Sequence, residues 1–154
     1  MSHIRRVRND PRGRGPRGIL LPDLPRYRTR SEDFDQAVLD AYERILDRFD
    51  DQLASLDLAV DLVPRMRLQH GYTQWPSDVV ADGKVPLGRL IPAGVDSSGS
   101  PSRPRLIVFR RPVEMRARSK EERADILRYI VTRLVAHYLN LGPETIDPRF
   151  DWDR

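Results

Sequence analysis

Residues 119–141 read SKEERADILRYIVTRLVAHYLNL, the one long helix against which the rest of the chain has to pack. Ser119 and Glu122 stand at the spacing of a capping box, in which the serine oxygen accepts a first-turn amide hydrogen and the glutamate reaches back. Ile126, Ile130, Leu134 and Leu141 recur at helical spacing. Leu127, Val131, Val135 and Tyr138 form a neighbouring stripe, a width that predicts burial along most of one side. Asn140, Gly142 and Pro143 supply a left-handed C-terminal cap and a stop.

Working outward, the preceding segments predict a small sheet. Residues 105–111 form the most apolar strand and belong at its centre, and residues 112–118 turn the chain into the helix. Residues 85–91 predict a second strand, placed at an edge because Pro86 and Gly88 interrupt it. Residues 96–104, DSSGSPSRP, have the composition of a flexible hairpin loop. Further upstream, Leu56, Leu58, Val60 and Leu62 alternate with Asp57, Ala59 and Asp61, the period of a strand with one buried face. Asp57 and Asp61 fall on its outer face; with no histidine near them in sequence, they read as a solvated edge and not as a metal or acid–base pair. Residues 52–56 predict a short helical turn. Ser31 caps a first helix whose Phe34, Val38, Ala41, Ile45 and Phe49 share one face, opposite a charged outer face. Residues 64–84 are the least regular part, with Trp75 read as a lid over the core and His70 in the loop. Together these elements predict an α+β fold, a mostly antiparallel sheet of about three strands packed on two main helices.

Composition bounds the function. The 154 residues and 39% hydrophobic content suffice for one modest core, and the absence of cysteine excludes disulfides and thiolate metal sites. No apolar run reaches the length of a membrane span and the N-terminus lacks a signal-like apolar core, so a soluble cytoplasmic protein with no membrane partner is expected. The net charge of +4 is uneven: residues 1–30 carry nine arginines against Asp10 and Asp23 and hold +7, leaving the remainder at −3. That segment, rich in Arg, Gly and Pro, predicts a flexible arm before a domain spanning residues 31–154. Arg5, Arg6, Arg8, Arg12, Arg14 and Arg17 would give it weak affinity for nucleic acid or an acidic partner. Ile19, Leu20, Leu21 and Leu24 form a short apolar cluster that could run along the domain as a strap.

Residues 105–141, with RLIVFRRPVEMRARS leading into IVTRLVAHYLNL, resemble the small bacterial zincin-like metallopeptidases. In that family a strand and turn lead into a helix bearing H-E-x-x-H-x-x-G-x-x-D. Residues 31–63 resemble the family's first helix and strand, and PLGR at 86–89 its proline-leucine element, so the likeness covers residues 31–148. It implies a minimal zincin layout and, in the family, a catalytic zinc. The motif positions here read Arg133-Leu134-Val135-Ala136-His137, with Asn140 at the glycine and Pro143 at the third ligand. His137 is the only surviving ligand position. A zincin needs two imidazoles one helical turn apart, a third ligand and a glutamate base. Arginine cannot serve as a ligand, leucine cannot take a proton and proline has no side-chain donor.

Three readings follow. The first is a zincin-like protein that has lost zinc and peptidase activity, with no cofactor, serving as a scaffold or interaction module for a protein partner, its old cleft filled by Leu134 and neighbours. The second is an active metallopeptidase with an atypical site using His137 with Glu144 or Asp147. The third is a nucleic-acid-associated protein acting through the arm. His137 shares a stripe with Ile130, Arg133 and Leu134, which predicts a half-buried, satisfied histidine.

Overall fold

The computed structural model describes residues 6–8, 29–68 and 74–150. The fold is α+β. Its principal sheet has five strands, β1 (Arg6–Arg8), β2 (Asp57–Asp61), β3 (Val79–Asp82), β4 (Val85–Ile91) and β7 (Arg105–Phe109), in the order β1-β2-β7-β4-β3. Between β4 and β7, β5 (Gly94–Val95) and β6 (Pro101–Ser102) form a separate two-stranded hairpin. The helices are α1 (Arg30–Phe49), α2 (Arg110–Arg116), α3 (Lys120–Leu139) and the single turn α4 (Pro143–Ile146).

The sheet is larger than three strands, and it is mixed. β1, β2 and β7 run parallel, while β7-β4 and β4-β3 are antiparallel. The apolar strand β7 takes the centre, as its composition predicts. β4 is interior where an edge was expected, and the reason lies in its two breaker residues. Pro86 sits beyond the part of β4 that pairs with β7, opposite Ala81 where the β3 register shifts, so its missing amide hydrogen removes nothing from the central ladder. Gly88 is interior because α3 lies directly on it.

α1 and α3 cover one face. Phe34, Val38, Tyr42 and Ile45 of α1, Leu58 of β2, Leu106 and Val108 of β7, and Leu127, Ile130 and Leu134 of α3 form the main core. Burial pushes the Tyr42 phenol well above its ordinary pKa. The cap of α1 is Thr29 and not Ser31: its hydroxyl accepts from the Glu32 amide at 3.1 Å and its amide donates to the Glu32 carboxylate at 3.3 Å, a complete capping box. Ser31 has phenylalanine three residues on and cannot form that reciprocal pair.

The other sheet face is also apolar, with Ala59, Ile107 and Phe109 buried and Met66 and Ile91 packed on them. This overturns the one-sided reading of β2. Asp57 is only 4% exposed and pairs with the Arg103 guanidinium at 3.1 Å, while Leu62, expected inside, is 47% exposed beyond the end of the strand. At the start of α3, Ser119 accepts the Glu122 amide at 3.0 Å, although the Glu122 carboxylate accepts from the Arg118 amide and not from Ser119. α3 ends at Asn140, whose φ of 58° is left-handed, with the Leu141 amide bonded to the Ala136 carbonyl.

A C-terminal latch closes the fold. Arg128 of α3 grips the Asp147 carboxylate with both its Nε and Nη2, the latter at 2.8 Å, and Arg48 of α1 donates to the Ile146 carbonyl at 2.8 Å. Ile146 is buried between them.

Candidate functional site

A cleft of about 410 Å³ opens between α3 and the outer strand β3. Helical spacing builds one wall: Tyr129, Arg133 and His137 recur every four residues and so stack along one face. Val79, Val80 and Ala81 of β3 form the opposite wall, approached by Trp75 and Pro76, and Leu141 and Pro143 close the end beyond the helix. Trp75 is a wall of this cleft and not a core lid. Its indole nitrogen donates to the Gly83 carbonyl at 3.1 Å, which fixes the ring against the turn joining β3 to β4.

Arg133 and His137 are both exposed, contrary to the half-buried histidine expected from the stripe. Leu134, one step and about 100° round the helix, is fully buried and faces Gly88 in the core. It therefore does not fill the cleft, which is open. The Arg133 guanidinium lies over the Tyr129 ring at 5.4 Å, an arrangement worth about 0.5–1 kcal/mol at an exposed site and one that holds the long side chain along the wall. No carboxylate is present among the described residues that line the cleft, and no described carboxylate pairs with Arg133.

The three positions at which the zincin resemblance places metal ligands, Arg133, His137 and Pro143, all line this one cleft. Their side chains do not fit a zinc ion. One is a permanent cation, one is an imidazole and one has no donor atom. No group of three His, Cys, Asp or Glu side chains among the described residues could hold a metal. The alternative set is not brought together either: Asp147 is held by Arg128, which depresses its pKa below the ordinary carboxylate range through their hydrogen bond, and Glu144 projects from an exposed position on α4.

Of the arm residues, Arg6 and Arg8 fall on β1, which pairs with β2 in the register Arg6↔Leu58 to Arg8↔Val60. Arg5, Arg12, Arg14 and Arg17, the apolar residues 19–24, and the two other histidines, His3 and His70, lie outside the described residues. Among the described residues no helix is long and apolar enough to cross a membrane. Sequence reasoning missed the β3 wall altogether. Its signal was Asp82-Gly83, a hairpin dipeptide between Val79-Val80 and the second strand; Gly83 takes a φ of 61° at that turn. Compared with known proteins, the chain matches no family model and no curated protein sequence.

Proposed function

We propose that this protein is a zincin-like binding module without zinc chemistry, and that the cleft between α3 and β3 is its contact surface for a protein partner. The observation that carries this reading is the meeting of Arg133, His137 and Pro143 on one open cleft beside the outer strand of the sheet. A cleft of this size lies within the range of ligand sites. β3 pairs with β4 on one side and no described strand pairs with its other edge, which can take up an extended segment by strand addition.

Catalysis fails on the same residues. Arg133 places positive charge where a dication would have to bind, and Leu134 replaces the base that would activate water. Regrafting the motif would not restore it simply, because Leu134→Glu puts a carboxylate into the core opposite Gly88.

Two measurements test the reading. Purified full-length chain is expected to carry substoichiometric zinc by elemental analysis and to leave casein uncut; stoichiometric zinc that disappears in His137→Ala overturns it. Heptapeptides selected from a random library on the full chain are expected to slow amide exchange at residues 79–81. Protection confined to elements other than β3 and α3 overturns the cleft as the contact surface.

A further inference from the structure

We infer that the cleft selects an anionic ligand, a peptide segment that sets a carboxylate against Arg133 and His137. This rests on the cleft being a peptide-binding surface and adds the chemistry of what enters it. Arg133 and His137 lie one helical turn apart, which brings their Cβ atoms to about 5–6 Å and lets both side chains reach one group. Both are exposed to the cleft, and no carboxylate among its described lining residues competes for them. The guanidinium presents a planar fork that matches a carboxylate with two parallel hydrogen bonds, and its central carbon lies 5.4 Å from the centre of the Tyr129 ring, which favours its place along the wall. An imidazole adds a third donor from the next turn.

Apolar and aromatic walls surround this polar pair. Trp75 and Tyr129 with Val79 and Leu141 offer contact to the flanking side chains of an extended segment. The electrostatic preference is therefore the inverse of a metal site. Where a cation would need acidic or neutral donors, this surface supplies donors of hydrogen and positive charge, and a basic segment is repelled from it.

The test uses full-length protein and sixteen fluorescein-labelled, amide-capped octapeptides of alternating threonine and valine. Eight carry one glutamate, at a different position in each, and eight carry glutamine at the same positions. At one or more positions the glutamate peptide is expected to bind about tenfold more tightly than its glutamine twin in fluorescence anisotropy, the scale of a charge-assisted hydrogen-bonded pair. Arg133→Gln is expected to abolish that preference and His137→Gln to reduce it, with both variants still melting cooperatively; both residues are exposed, and the lost Arg133–Tyr129 contact lowers the midpoint of the first by no more than about 4 °C. Equal binding of glutamate and glutamine at every position overturns the carboxylate assignment while leaving the cleft reading intact, as does a preference that survives Arg133→Gln. If none of the sixteen binds while library peptides still protect residues 79–81, the carboxylate assignment again falls alone. If neither set binds, both fall.

Discussion

Gly88 sets how closely α3 can approach the sheet. A methyl group there would lie 2.6 Å from Ile130 Cγ2, 3.0 Å from the Ile107 carbonyl oxygen and 3.2 Å from Leu134 Cδ1. Leu134 Cδ1, at the end of its side chain, yields by rotation, but Ile130 Cγ2 branches from the Cβ of a buried helical residue whose χ1 is restricted, and the carbonyl is fixed by the ladder of the central strand. Gly88→Ala is expected to cost about 1–3 kcal/mol, the usual range for overpacking, and Ile130→Ala in the same chain is expected to recover part of it. Urea titrations of the two single variants and the double variant check this; additive losses would show that the Ile130 contact is not what limits the site. Gly88 was visible in the sequence as a strand breaker, yet its meaning was inverted. Nothing in a one-dimensional pattern distinguishes a glycine that weakens an edge from one that admits a helix. Arg133 and His137 posed a similar difficulty: helical spacing placed them together, but which side of α3 faced solvent depended on where β3 ran.

At the level of elements, α3 and β7 were legible because their signals are local and redundant. Ser119 and Asn140 mark the two ends of the helix, and Leu106, Ile107, Val108 and Phe109 leave no polar face for a strand to turn outward. β3 was not legible from composition, since its four residues, Val79–Asp82, show no alternation and are stabilised by pairing with β4. β1 was harder still, with a single valine between two arginines and its partner some fifty positions away. Residues 96–104 read from composition as a flexible hairpin loop, and the hairpin is there as β5-β6; composition did not show that Asp96 organises its turn by accepting from the Ser98 hydroxyl at 2.7 Å and the Ser100 amide at 3.0 Å, the Ser98 bond above all drawing its pKa down. The latch around α4 makes its own prediction. The Asp147 pKa is depressed in the folded chain, chiefly by the Arg128 hydrogen bond, so the stabilisation is complete above the unfolded carboxylate value of about 3.9 and is lost as pH falls through the lower folded value. Asp147→Asn is expected to be less stable than wild type at pH 7, with the gap narrowing below about pH 4. Thermal melts across pH 2–7 test it, and a gap that stays constant to pH 2 would contradict it.

For the whole molecule, the part of the N-terminal segment that the structure describes before Thr29 is β1, an edge strand added to β2. Deleting residues 1–18 removes β1 and leaves β2 as the outer strand. The expected loss is about 1 kcal/mol, a fall in thermal midpoint of roughly 2–4 °C for a chain of this size, with cooperative melting retained. Disappearance of a cooperative transition would mean that the N-terminal segment is integral to the core. The central strand carries a different consequence. β7 and α3 follow the exposed turn at Ser98-Gly99, whereas both neighbours of β7 in the sheet, β2 and β4, precede it together with α1. A break in that turn divides the protein into two parts, one holding a sheet with its middle strand missing and the other holding β6, β7 and α2 to α4, with both ladder partners of β7 lost. Each part can restore the central ladder only with the other, so the turn is a natural cleavage point for a two-fragment complementation pair, in which refolding reports that the fragments have met.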